Sequence, residues 1–251
     1  MDNKDLELLG KKMVDYCSKF GIPIEFLFHI LEDQKVTPMV RGKAMEYNLY
    51  SMLIRNLSRS IWSIEKLNLN AQPGTIDEDI SITHRRTGII LKVESKSAVR
   101  GSFTQGKNSR ILKEPHFSVK CHKSRSNIRL AGTTNDKYSE NDFDLIFTNP
   151  TNSIYQGNTI SEGLEIIHDI GTREFLCRHY NVQTDHDLII STETDWRFCI
   201  PESISIRGFI PRTPRVKLLN DENWNSTELL EEKLLQVVEK KRKSNQASRR
   251  N

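Results

Sequence analysis

The chain of 251 residues is short of several things. Its four cysteines, Cys17, Cys121, Cys177 and Cys199, include no C-x-x-C pair. The groupings Cys121-His122 and Cys177-x-His179 supply too few spaced ligands for a structural zinc site, so buried or incidental thiols are expected. A chain long enough to bury a real core folds without disulfides, and a reducing, intracellular setting fits the cysteine usage. No apolar run approaches the roughly 20 residues of a membrane helix, so no membrane association is expected. The opening residues Met1 to Gly10 are acidic and polar, without the basic region and apolar core of a secretory signal. With only 12 glycines, 8 prolines and no internal period, collagen-like, coiled-coil and solenoid architectures are excluded. There is no G-x-x-x-x-G-K-[ST] loop, no dinucleotide fingerprint after a strand pattern and no G-x-S-x-G elbow, which leaves an ATP motor, a nicotinamide enzyme and a Ser-His-Asp hydrolase unsupported.

What is present is unevenly placed charge. The net charge is only +4, from 37 Lys+Arg against 33 Asp+Glu. Between His84 and Arg129, however, 12 basic residues face only Glu94 and Glu114, so this stretch of 46 residues carries +10 and the remainder −6. A surface selected only for solubility would mix the signs. A polyanionic partner is the natural complement.

Periodicity divides the chain into α and β parts. Residues 4 to 20 read as a helix, Pro23 opens a second one through Leu31, and a third runs from about Arg41 to Ser58. The pattern then changes to period two. Ile80 and Ile82 alternate with polar residues, His84 to Gly88 reads as a hairpin loop, and Ile89, Leu91 and Val93 alternate with Lys92, Glu94 and Lys96. Further expected elements are one around Pro115 to His122, a strand at Phe143 to Phe147, helices at Ser161 to Ile170 and Thr172 to Tyr180, and strands at Leu188 to Ile190 and Trp196 to Ile200. Ser203 to Leu219 reads as edge strand or ordered loop. Asn225 or Ser226 caps a closing helix from Thr227 to about Lys241. The expectation is one α/β domain over 1–251, with a helical N-terminal part over 1–40 and a basic, frayed tail over 242–251.

Chemistry concentrates at the end of the second strand of the hairpin. Period two places Glu94 and Lys96 side by side on one face, with Ser95 on the other. If the strands pair about the His84 to Gly88 turn, Asp79 comes beside Glu94, and two adjacent carboxylates are relieved by a hard divalent cation such as Mg²⁺. A lysine next to such a cation can hold the water that attacks a phosphorus atom. Glu46 shares a helix face with Leu49, Tyr50, Leu53 and Leu57, where an acid needs a partner, a metal or an edge position. Taken alone, a Glu/Lys pair on a strand is also an ordinary solvent-facing pair. The basic stretch starts at these residues and runs beyond them.

The arrangement resembles the PD-(D/E)XK nuclease superfamily and, within it, the type II restriction endonucleases. The residues that carry the resemblance are Glu46 in Gly42-Lys-Ala-Met-Glu46-Tyr, Asp79 in Thr75-Ile-Asp-Glu-Asp79-Ile-Ser-Ile, and Glu94 and Lys96 in Ile90-Leu-Lys-Val-Glu94-Ser-Lys96. The proline that normally adjoins the family's first aspartate is here Pro73, and Asp77 is an alternative to Asp79. The resemblance, over roughly residues 40 to 150, implies a restriction-endonuclease-like mixed central β-sheet flanked by helices. It implies Mg²⁺-dependent hydrolysis of double-stranded DNA to 5′-phosphate ends, with Asp79 and Glu94 on the metal, Glu46 as an outer or second-metal ligand and Lys96 positioning the water. It further implies a homodimer, a prokaryotic cytoplasm and a cognate DNA methyltransferase in the same system. Arg100, Lys107, Arg110, Lys120, Lys123 and Arg125 are the expected DNA contacts, with Arg207, Arg212 and Arg215 as later contributors. Two readings stand beside it: a repair or junction-resolving nuclease, and a non-catalytic nucleic-acid-binding protein whose Glu94/Lys96 pair is structural.

Overall fold

A computed structural model describes residues 2–33, 35–66, 78–107, 109–123, 136–156, 165–167 and 169–248. These divide into two compact units, one within Met1–Ala44 and the other within Met45–Gly157 and Leu164–Asn251. Asp77, Arg125 and Arg129 lie outside the described residues.

The first unit is helical. Helix α1 (Asn3–Phe20) starts on a capping box between Asp2 and Asp5 and ends at Gly21, whose φ of 65° lets its N–H turn back to the Cys17 and Ser18 carbonyls. A single 3₁₀ turn (Ile24–Phe26) leads into α2 (Leu27–Glu32). Helix α3 (Thr37–Asn56) begins four residues earlier than periodicity suggested. Pro38 lies in its first turn, where a missing N–H costs nothing.

In the second unit a six-stranded sheet carries the fold. Strands β1 (Trp62–Lys66), β2 (Ile80–His84) and β3 (Ile89–Ser95) form an antiparallel meander. Strand β4 (His116–Ser118) lies outside this sheet, and β5 (Leu145–Thr148) joins it parallel to β3. A two-residue pair, β6 (Tyr155–Gln156) and β7 (Glu165–Ile166), precedes helices α4 (Ile170–Tyr180) and α5 (Asp185–Thr194). Strand β8 (Arg197–Cys199) returns antiparallel to β5. After the short α6 (Pro201–Ile204), strand β9 (Arg215–Lys217) pairs with β4, and β10 (Asn225–Ser226) closes the sheet in the order β1-β2-β3-β5-β8-β10. Helix α7 (Leu230–Ser248) ends the described chain and runs past the Lys241 limit set by periodicity. The architecture is therefore a mixed sheet flanked by helices.

Each face of the sheet has its own core. Leu49 and Leu53 of α3, Ile80, Ile82, Leu91 and Val93 of the hairpin, and Leu230 and Leu234 of α7 fill one. Phe117, Val119, Ile146, Leu176, Leu188 and Trp224 fill the other. Strand β5 shows why its sequence is continuously apolar: Leu145 and Phe147 enter the first core, Ile146 the second, and all are fully buried. Asp144 just before it straps the layers together, accepting the Lys92 N–H at 2.8 Å and the Lys241 ammonium of α7 at 2.7 Å.

Two expectations are corrected. Leu188 to Ile190 is not a strand but the middle of α5, which Thr184 caps by accepting the Asp187 N–H at 3.1 Å. A short apolar run fits a buried helix as well as a strand, and the cap with Asp185 and Asp187 in the first turn decides. The helix expected over Ser161 to Ile170 is not formed at Glu165–Ile166, which is strand, and Ser161 to Leu164 lie outside the described residues. The segment 203–219 is loop and edge strand as expected, holding β9 of a two-stranded sheet, apart from the last residues of α6 at its start. Strand β1 was not anticipated, although Trp62 and Ile64 alternate with Ser63 and Glu65. Among the described residues no helix is long and apolar enough to cross a membrane. All four cysteines are free thiols.

Candidate functional site

The β2–β3 hairpin positions the candidate residues. Its register sets Ile80 against Val93, so Asp79 falls opposite Glu94, one step outside the last apolar pair. The Asp79 Oδ2 accepts the Ser95 backbone N–H at 2.9 Å, pinning the open end of the hairpin. Lys96 prolongs the sheet, its backbone N–H donating to the Phe147 carbonyl at 2.8 Å. Its ammonium donates to Glu94 Oε1, as the shared face of residues i and i+2 requires. The same ammonium donates to the Tyr138 hydroxyl at 3.2 Å and lies 4.7 Å from that ring's centroid, within cation–π reach. Ser95 points the other way, and its hydroxyl oxygen is buried with no hydrogen-bond partner.

Glu46 approaches from α3 and is buried. Lys66, the last residue of β1, donates to Glu46 Oε2 at 2.7 Å and to the Asp79 carbonyl at 3.2 Å. The register explains the division. Lys66 pairs with Ile80 and therefore shares the face that packs on α3, whereas Asp79 and Glu94, one residue out of step, project to the opposite face. The structure thus brings Asp79, Glu94 and Lys96 together on one side of the strand ends and holds Glu46 with Lys66 on the other. Among the described residues no three His, Cys, Asp or Glu side chains form a group that could hold a metal ion.

Charge still couples the two sides. Burial, then the Glu94 and Glu46 carboxylates, push Asp79 from 3.8 up to about 8, against the opposing pull of the Ser95 N–H and Lys96. Burial is the largest single influence on Lys96 and would lower it, but the Glu94 carboxylate, Tyr138 and Asp79 together outweigh it and hold the ammonium above the ordinary lysine range. Burial likewise raises the Tyr138 phenol, and it pushes the neighbouring Cys121 thiol up to about 12. Asp79 and Glu94 are thus hard oxygen donors that repel one another, a donor chemistry that fits a divalent cation. Glu46, engaged by Lys66, fits an outer role better than a direct one.

The basic candidates are scattered in role. Lys107, Arg110 and Lys120 are exposed, and Arg100 is half-buried. Lys123 turns toward the site, 5.7 Å from the Tyr138 centroid and 3.9 Å from Asp142 Oδ2. Arg125 lies outside the described residues. Arg215 is exposed, and Arg212 is paired with Asp136 at 2.8 Å. His116 is buried beside β9, with Nδ1 2.7 Å from the Glu114 carbonyl, a structural position. Asp142 accepts the Ser139 N–H at 3.0 Å and Asp144 straps α7, so both hold the scaffold beside the site.

Two residues of the site escaped the sequence reading. Tyr138 lies 42 positions from Lys96 and carries no local signal. Lys66 had one. It continues the apolar face of Trp62 and Ile64, just as Glu46 shares the apolar face of α3, and two opposite charges on apolar faces call for each other. A cleft of about 420 Å³ lies elsewhere, between Thr104 to Lys107 and the start of α4. It mixes Asp169 and Glu174 with Lys107 and Arg178 and contains none of the carboxylates of the site. In comparison with known proteins, no family model, no curated protein and no solved structure matches this chain.

Proposed function

We propose that the protein is a Mg²⁺-dependent endonuclease of double-stranded DNA, a restriction-endonuclease-like fold acting as a homodimer in the manner of type II enzymes, with a cognate methyltransferase protecting its target. One observation carries the reading. The β2–β3 register juxtaposes Asp79, Glu94 and Lys96 at a sheet end, where burial, reinforced by the Glu94 and Glu46 carboxylates, raises Asp79 to about 8. An acid held in that state favours the arrival of positive charge.

Asp79 and Glu94 would hold the cation, which when bound supplies charge neutralisation for the phosphate and a more acidic water. The chain's own groups do the rest. Lys96, an ammonium steadied by Glu94 and Tyr138, is a hydrogen-bond donor that orients the water or the scissile phosphate, and not a base. Asp79 keeps the hairpin end closed through Ser95, so the distance between the two carboxylates is set by backbone. Glu46 and Lys66 form the wall behind Asp79 and contribute field without needing to touch metal. The exposed Lys107, Arg110 and Lys120, on the +10 stretch, supply salt-dependent encounter with the DNA backbone.

Incubation with plasmid and phage DNA, in Mg²⁺ and in EDTA, tests the proposal. Discrete bands that vanish with EDTA are expected, and run-off sequencing of the ends would give the target and the overhang. Lys96→Ala and Glu94→Ala should abolish cutting while leaving most DNA binding. Binding without cleavage in every divalent ion tried would instead fit a non-catalytic nucleic-acid-binding protein.

A further inference from the structure

Gly106 and Glu114 form the neck of a loop, of which residue 108 lies outside the described residues. Thr104 and His116 exchange both backbone hydrogen bonds, at 3.0 and 2.9 Å. Gly106 has φ of +80°, and a Cβ there would lie 2.6 Å from the Glu114 backbone nitrogen, so only glycine lets the two limbs come this close. Within the loop the Ser109 N–H donates to the Gly106 carbonyl at 3.0 Å. The Ser109 hydroxyl accepts the Ile111 and Leu112 N–H groups at 3.2 and 3.3 Å. The far limb is fastened to β9 by the Leu218 N–H on the Pro115 carbonyl at 2.8 Å and by Lys217 on Glu114 at 3.0 Å.

This neck presents one sign of charge. Lys107, Arg110 and Lys113 are all exposed, and among the described residues none is in an ion pair; the only acid of the segment, Glu114, is taken by Lys217. Between them Ile111 is 65% exposed while Leu112 beside it is half-buried. An apolar side chain held outward among three cations matches the surface of a nucleic-acid duplex, in which phosphate rows border a groove floored by base edges. We propose that this loop is a preformed DNA probe: Lys107, Arg110 and Lys113 grip phosphates flanking the minor groove, and Ile111 enters it as an apolar wedge that bends the duplex. This deepens the reading of duplex DNA as the substrate and rests on it, but it does not depend on the carboxylate site.

The test uses the full-length protein in EDTA with a fluorescently labelled mixed-sequence duplex, titrated by anisotropy over a series of salt concentrations. The triple variant Lys107→Ala/Arg110→Ala/Lys113→Ala should flatten the slope of log affinity against log salt by about 2 to 3. Ile111→Ala should keep the slope, weaken binding by about tenfold, and reduce the bend read by energy transfer between the duplex ends. Gly106→Ala retains every charge yet should weaken binding, because the limbs must part. Should that variant unfold on melting, the two surface variants decide the matter. A triple variant with the wild-type salt slope, or an Ile111→Ala protein with wild-type affinity and bend, overturns the loop proposal alone. A wild-type protein that binds no duplex at any salt overturns the substrate reading as well.

Discussion

Asp79→Asn offers the sharpest check on the electrostatics of the site. The substitution keeps an oxygen to accept the Ser95 N–H and removes the ionisable proton. In the unfolded chain Asp79 ionises near its ordinary 3.8, whereas in the folded protein burial and the Glu94 and Glu46 carboxylates hold it protonated up to about 8. The folded value is the higher one, so the associated stability is fully present below pH 3.8 and is lost as pH rises through 8. A rigid, dry site would lose about 6 kcal/mol over that interval. Asp79 is only half-buried, which screens the charge, so about 2–3 kcal/mol is the expected loss. Urea unfolding of both proteins in EDTA at pH 5, 7 and 9 measures it, since groups remote from Asp79 cancel in the difference. The variant should gain on the wild type from pH 5 up to about 8 and hold that gain at pH 9, and Mg²⁺ at pH 9 should restore the wild type while leaving the variant unmoved. Parallel stability curves would show that neither burial nor the Glu94 and Glu46 carboxylates raise Asp79 in the folded protein, and the case for a cation site between Asp79 and Glu94 would go with them.

Three further outcomes are expected. Tyr138→Phe retains the ring under the Lys96 ammonium but loses the hydroxyl that receives it; DNA cleavage should slow by about tenfold with unchanged duplex affinity, and a wild-type rate would remove Tyr138 from the site. Lys66→Met leaves the Glu46 carboxylate buried without its cation, which should cost about 3 kcal/mol at pH 8 in urea unfolding, and Glu46→Gln combined with it should recover much of the loss. Phe147→Ala empties a fully buried position in the core shared by α3 and the sheet and should cost about 3–5 kcal/mol, measured by the same unfolding.

Much of the site was legible because it is local. Glu94 and Lys96 differ by two residues on a strand, and the turn at His84 to Gly88 is short, so the period of two and the hairpin together dictate that Asp79 meets Glu94. Where several structures satisfy the same local pattern, the reading failed. Leu188-Ile-Ile190 fits a strand or a buried helix, and the Thr184 cap, present in the sequence, was the signal that would have separated them.

By itself, then, the chain's sequence determined the α/β alternation, the hairpin, the adjacency of Asp79, Glu94 and Lys96, and a basic stretch that begins among them, because each follows from backbone periodicity or simple counting. Tertiary structure alone decided that Tyr138 lies against Lys96, that Glu46 faces Lys66 and not the Asp79–Glu94 pair, and that Gly106 closes a charged loop on Glu114. Those contacts join residues remote in sequence, or depend on which face of the sheet a helix covers, and no local period carries that information.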